Sequence, residues 1–171
     1  MKITIYMATS ANSLTSNERN DPFWLSPEYG QGFMQIAQQT KAVIMGKKTY
    51  NILAPDYLPL KEEGTLAVLT HDTNAAPAND AVVFTDKTPG EIVAMLEERG
   101  HQEAVIIGGT ATTTAFIQAG LVDDIILVIE PILFGGGLPL FNRADFEYPL
   151  HLREVTKLNN NTIRVHYSIV K

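Results

Sequence analysis

The chain contains no cysteine among its 171 residues. Disulfides, thiol nucleophiles and Cys-ligated metal centres are therefore excluded. Basic residues are the scarcer charges: 13 Lys and Arg stand against 19 Asp and Glu, a formal net charge of −6. That balance argues against nucleic acid as a partner, which calls for basic patches. The histidines His71, His101, His151 and His166 are scattered, with no HExxH-type spacing, so no metal site is expected. No apolar run approaches the ~20 residues that a membrane helix needs. The opening MKITIYMATS alternates like a strand and does not read as a signal peptide. No membrane role is expected, and the cytoplasm is the default location. The length suits one domain over residues 1–171 with a full core.

The most informative stretch that is present is AVIIGGTATTTAFIQAG at 104–120. Ala104 to Ile107 read as a buried parallel strand. Gly108 and Gly109 end it, and Thr110 to Thr114 open a helix that closes at Gly120. Glycine at such a turn lets a ligand approach the backbone closely. The free N–H groups and the dipole of the helix start then favour an anion. Packing of the turn is the alternative use of the same glycines.

Elsewhere, residues 2–8 form an expected strand, and 9–26 a long loop rich in Ser, Thr and Asn, of the kind that is usually functional. Ser26-Pro27-Glu28 starts a helix that runs to about Gln39. Ala42–Met45 is a strand, Lys47–Leu53 a helix, and 54–64 a Pro-rich loop. Strands follow at 65–70 and 81–85, and a helix at 88–100. After the 104–119 unit come a strand at 124–130 and a glycine break at 132–137. Two long strands, 147–157 and 162–170, close the chain around Asn159-Asn160-Asn161. This alternation implies a mainly parallel sheet with helices on both faces and an antiparallel hairpin at its end. Ligands of such sheets bind at the carboxyl ends of the strands. Three turns should meet there: Gly46-Lys47-Lys48-Thr49, Thr70-His71-Asp72 and Gly108-Gly109-Thr110.

Lys47 and Lys48 stand at a helix start, where the dipole disfavours cations unless an anion is bound. Two anion sites would suit a ligand with more than one phosphate, with Thr70 and His71 beside its ribose or base. Trp24, the single tryptophan, is either a plug over the core or a wall of a substrate pocket. Glu28 is either a favourable first-turn acid or a catalytic one. Glu130 is either a buried acid near the ligand or a polar strand end.

Together these residues resemble the dihydrofolate reductase-like superfamily, and most closely its riboflavin-biosynthesis reductase branch, the RibD C-terminal domain-like reductases. The resemblance rests on FWLSPE at 23–28, VIMGKKTY at 43–50, VLTHD at 68–72, VIIGGT at 105–110 and GLVDDIILVIEPILFGGGLPLF at 120–141. It implies a three-layer α/β/α dihydrofolate reductase-like fold. It also implies an NADPH-dependent reductase that transfers hydride to a small heterocyclic or carbonyl-type substrate. By resemblance, Gly46, Lys47, Lys48, Thr49, Thr70, His71, Gly108, Gly109, Thr110, Ala111 and Thr112 hold NADPH. Trp24 and Glu130 face substrate, and Glu28 is the candidate catalytic acid. A homodimer is implied as well. The chain departs from the pattern in its substrate motifs. Ser10-Ala11-Asn12-Ser13 stands where those reductases carry an Asp-Gly-Lys-like element, and Ile107 where Glu often precedes the glycine pair. The position of the pterin-protonating acid falls on Gly30 or Tyr29, leaving Glu28 as the nearest acid. Reduction of 5-amino-6-(5-phosphoribosylamino)uracil is the leading expectation and dihydrofolate reduction the next. A nucleotide-binding module without turnover is the alternative of another class.

Overall fold

Apolar, β-branched runs make the strands here, and two of the helices start where Pro follows a hydroxyl residue. The computed structural model describes residues 1–57, 64–72 and 80–171. In chain order the elements are β1 (Lys2–Ser10), β2 (Leu14–Asn17), α1 (Pro27–Thr40), β3 (Ala42–Gly46) and α2 (Lys47–Tyr57). Then come β4 (Thr65–Leu69), β5 (Val82–Thr85), α3 (Pro89–Glu98), β6 (Glu103–Ile106) and α4 (Thr110–Gln118). Last are β7 (Asp124–Glu130), β8 (Gly137–Pro139), β9 (Leu150–Lys157) and β10 (Ile163–Ile169).

Eight strands form one sheet in the order β5-β4-β3-β6-β1-β7-β10-β9. Every pairing from β5 to β7 is parallel, while β10 runs antiparallel to both β7 and β9. The central strands are buried on both faces, so their side chains divide between two cores. Ile3, Ile5 and Met7 of β1, with Ala42 and Ile44 of β3, pack with Ile92, Leu96, Phe116 and Ile117 of α3 and α4. The alternate residues Tyr6, Val43 and Met45 pack with Phe33 and Ala37 of α1. The result is the expected three-layer α/β/α arrangement with a mainly parallel sheet and an antiparallel C-terminal pair. Among the described residues, no helix is long and apolar enough to cross a membrane.

Several boundaries differ from the sequence reading. The first strand continues to Ser10, and the segment read as a loop over 9–26 contains β2, which pairs with β8 in a separate two-stranded sheet. Gly137, at φ +149°, makes that pairing possible, because a Cβ there would collide with the Ser16 carbonyl oxygen. The second helix runs on to Tyr57, beyond Leu53; the rest of the predicted 54–64 loop lies largely outside the described residues. The ninth strand begins at Leu150, not 147. Its register with β10 shifts between Leu152↔Tyr167 and Glu154↔His166, which leaves Arg153 as a bulge. The bulge keeps Leu150, Leu152 and Val155 on one face, paired with Ile169, Tyr167 and Val165. The asparagine turn forms as expected: Asn159 Oδ1 accepts from the N–H groups of Asn161 and Thr162, both at 2.9 Å.

Candidate cofactor and substrate site

Register brings the three predicted turns to one edge. Gly46 pairs with Leu69, and Ile44 pairs with Ile106. The chain therefore leaves β3, β4 and β6 at nearly one level, at Lys47, Thr70 and Ile107. The Gly46 N–H donates to the Gly108 carbonyl at 2.8 Å and ties two of the turns together. A Cβ at Gly46 would lie 3.1 Å from Thr112 Oγ1, and one at Gly109 would lie 3.5 Å from Thr49 Oγ1. Gly46, Thr49, Gly108, Gly109 and Thr112 thus form one close group built from two βα turns.

The start of α4 differs from those of α1 and α3. Ser26 caps α1 through its side chain, and Thr88 with Glu91 forms a capping box on α3. Gly109 caps α4 with no side chain at all. No N-cap side chain therefore takes the first N–H groups, at Thr110 and the exposed Ala111, while the Gly109 carbonyl accepts from the Thr112 N–H at 2.9 Å. Gly109 is extended at φ −83°, and the positive angle in this turn, +117°, falls on Gly108, whose carbonyl accepts from the Gly46 N–H. The peptide between the two glycines is cis.

The threonine run of α4 has tasks of its own. Thr110 Oγ1 donates to the Pro139 carbonyl at 2.7 Å, and Thr113 Oγ1 to the Leu140 carbonyl at 2.7 Å. Thr114 Oγ1 accepts from the Asn142 N–H at 2.9 Å. These hydroxyls fasten the segment after β8 to the helix, so Thr110 reaches any ligand through its backbone.

The two lysines part company. The Lys47 ammonium lies 3.7 Å from the Phe84 ring centre and 5.0 Å from that of Tyr50, a cation–π arrangement. Lys48 is exposed. Thr70 Oγ1 accepts from the Asp72 N–H at 3.1 Å, which shapes the next turn, and His71 is exposed.

The other wing lies at the ends of β1 and β7, where Ser10 pairs with Glu130. Glu130 is only 1% exposed. One of its oxygens accepts from Ser26 N at 3.0 Å and Ser26 Oγ at 2.6 Å, the other from Thr162 Oγ1 at 3.1 Å. It ties the start of α1 to the end of β7 and to the turn just before β10, beneath the Trp24 segment. Trp24 packs edge-on against Phe134 at 5.2 Å. Asn12 closes the same wing, donating to the Phe134 carbonyl at 2.8 Å and accepting from its N–H at 3.2 Å. Glu28 stands half-buried in the first turn of α1. Behind it, Tyr6 and Tyr29 stack at 5.3 Å, and Tyr6 donates to the Tyr29 carbonyl at 3.1 Å. Burial pushes the Tyr6 phenol up to about 12, and that of Tyr29 higher still.

Sequence reading did not single out Phe134 or Thr162, and it named Asn12 and Tyr29 only as departures from the family pattern. The Ser26-Pro27 helix start was the one local signal for the Glu130 tie. Its partner is 104 residues away.

Comparison with known proteins gives a consistent picture. The family model of the RibD C-terminal domain matches residues 1–164. The uncharacterized protein YwjB of Bacillus subtilis is 26% identical over 172 residues, covering 97% of each chain. A solved chain from Shewanella sp. PV-4, named for riboflavin biosynthesis, superposes with a TM-score of 0.85 at 21% identity, covering 100% of both chains. The diaminohydroxyphosphoribosylaminopyrimidine deaminase/5-amino-6-(5-phosphoribosylamino)uracil reductase of Thermotoga maritima gives a TM-score of 0.80 at 16% identity. That match covers 99% of this chain and 56% of the Thermotoga chain.

Proposed function

Because this chain belongs to the RibD C-terminal domain family, we propose that it is an NADPH-dependent reductase acting on a small heterocycle of the pyrimidine or pterin type. One observation carries the reading: two glycine turns meet at the carboxyl edge of the sheet, and one opens a helix that has no side-chain cap. Such a helix start suits a phosphate. The residues fit a dinucleotide. A Cβ at Gly109 would meet only Thr49 Oγ1 within 4 Å, so the backbone there is open to a ligand. In this reading Gly108, Gly109, Thr110, Ala111 and Thr112 take the pyrophosphate. Gly46, Lys47, Lys48, Thr49, Thr70 and His71 take the adenosine side. NADPH, when bound, supplies the hydride. The protein's own part is to hold both partners in register and to exclude water. Trp24 forms a wall of the substrate side, with Glu130 fixing that wall from below. Glu28 is the acid we assign to delivering a proton, directly or through water. The chain acts as one domain in the cytoplasm. It pairs as a homodimer through the apolar face of β9 and β10, where Leu150, Leu152 and Val155 are about half exposed.

Gly109→Ala tests the reading. NADPH affinity is expected to fall by tenfold or more, with a smaller change in the melting temperature. Unchanged affinity in a folded variant would remove the phosphate turn and with it the main support for a reductase.

A further inference from the structure

Helix α1 carries two glycines in its interior, Gly30 and Gly32. Glycine weakens a helix relative to alanine, so each calls for a reason. Conformation is not the reason, since neither has a positive φ. Gly32 is explained by packing: a Cβ there would collide with the Tyr6 hydroxyl. Gly30 has no such explanation, because a Cβ there would meet nothing within 4 Å. The same is true of Gly90, Gly100 and Gly135, but those three are exposed, whereas Gly30 is half-buried. Gly30 therefore looks into a recess, open space with protein around it, and not onto a convex surface. The fold places that recess. Ser26, the cap of α1, is held by Glu130 at the end of β7, so α1 begins at the carboxyl edge of the sheet. The helix packs on β6 and β3. Gly32 looks toward Tyr6 of β1. Gly30, two residues earlier, is turned about 200° round the helix axis from it. It faces the other way, toward β3 and the start of α2, which follows Gly46. Met34, one helical turn on, shares this flank and packs in the same apolar cluster as Tyr50 and Leu53 of α2. The recess thus lies between the starts of α1 and α2, at the edge where the glycine turns meet.

We infer that Gly30 is a specificity-determining residue: its missing side chain leaves a slot in which a flat heteroaromatic ring of the substrate lies against the backbone of the first turn of α1. This rests on the reductase reading above and deepens it, because it names the surface that takes the ring. The flank of Gly30, Met34 and Ala37 carries neither charge nor hydroxyl, and so suits the apolar face of a ring. Any side chain at position 30 would stand where the ring lies. The helix forgoes the stability that alanine would give it, as expected where a position serves a ligand and not the fold.

Side-chain size at position 30 separates a ligand slot from a merely structural gap. Gly30→Ala and Gly30→Leu both suit a helix, and in an open recess neither clashes. Melting temperatures are expected to hold or rise, by roughly 2 °C for Gly30→Ala. Affinity for 5-amino-6-ribosylaminouracil or 7,8-dihydropterin, titrated with NADP⁺ present, is expected to fall roughly threefold in Gly30→Ala and roughly twentyfold in Gly30→Leu. Affinity for NADPH stays as in the wild type. Because the chain has no cysteine, Gly30→Cys supplies a single thiol for a probe that needs no turnover. The flat heteroaromatic disulfide 4,4′-dithiodipyridine should react with it at a rate that saturates with reagent concentration, because the ring binds before the thiolate attacks the disulfide and expels 4-thiopyridone. At the Gly90→Cys thiol, on the exposed start of α3, the rate should stay linear. A Gly30→Leu protein that melts several degrees earlier, a linear rate at the Gly30→Cys thiol, or heterocycle affinities equal to that of the wild type in both size variants would overturn the inference. If the wild type binds neither heterocycle while the Gly30→Cys rate saturates, the slot stands and the pyrimidine or pterin substrate of the reductase reading falls.

Discussion

Replacing Glu130 separates a structural tie from a surface acid. Its carboxylate is buried and accepts three hydrogen bonds, from Ser26 N, Ser26 Oγ and Thr162 Oγ1. Glu130→Ala removes the common acceptor and leaves a cavity. The two hydroxyls can rotate toward other partners, but the Ser26 N–H cannot. One stranded donor costs about 1–3 kcal/mol, and the lost packing adds to it, so a total of about 3–5 kcal/mol is expected. Glu130→Gln keeps the volume. Its carbonyl can still accept from Ser26, and its NH₂ can donate to Thr162 Oγ1 once that hydroxyl turns around. Only the charge assistance is lost, about 1–2 kcal/mol. Urea unfolding followed by far-UV circular dichroism gives both values, and Trp24 emission reports whether the segment above Glu130 has moved. The Ala variant should also shift the Trp24 spectrum in the folded state, because Ser26 is two residues away. An Ala variant no less stable than the Gln variant, with unchanged emission, would refute the tie.

Other expectations follow from the same geometry. Lys48→Ala should reduce the preference for NADPH over NADH more than Lys47→Ala does, because the Lys47 ammonium is engaged with Phe84; titration of both cofactors against both variants decides this. Thr114→Val removes the acceptor for the Asn142 N–H and the donor to the Thr110 carbonyl, and should cost about 1–3 kcal/mol in urea unfolding. The His101 ring is held below its ordinary 6.5, by burial first and by Arg99 and Lys41 next. A depressed folded value means that its stabilising contribution is present above 6.5 and is lost as pH falls through the folded value. His101→Gln should therefore flatten the loss of stability between pH 7 and pH 5, measured by denaturant midpoints.

The sheet and the meeting of its turns at one edge were largely legible in the sequence, and the reason is local. The Gly108-Gly109 pair, its buried strand and its short-residue helix start are contiguous, so periodicity and turn chemistry suffice to place them. The same holds for Ser26-Pro27 and for Thr88-Pro89. What escaped was set by distant partners. The pairing of β2 with β8 joins four residues to three across more than a hundred positions, with no alternation long enough to announce it. The positive φ of Gly108 goes with a hydrogen bond that its carbonyl takes from Gly46, more than sixty residues earlier. The threonines of α4 looked like a ligand-facing run, yet Thr110, Thr113 and Thr114 serve the 139–142 segment. That Glu130 is buried was one of two readings of the sequence, but its partners Ser26 and Thr162, neither its neighbour in sequence, were not foreseen.

The central claim is that the twin glycine turns hold NADPH. Energy transfer from Trp24 to the reduced nicotinamide gives the most direct measurement, as wild-type protein is titrated with NADPH and with NADH at fixed ionic strength. The account predicts saturable binding of NADPH that is tighter than that of NADH by tenfold or more, since a charge-assisted hydrogen bond to the extra phosphate contributes ~1.5–3 kcal/mol. No saturable binding of NADPH, or equal affinity for the two, would contradict it.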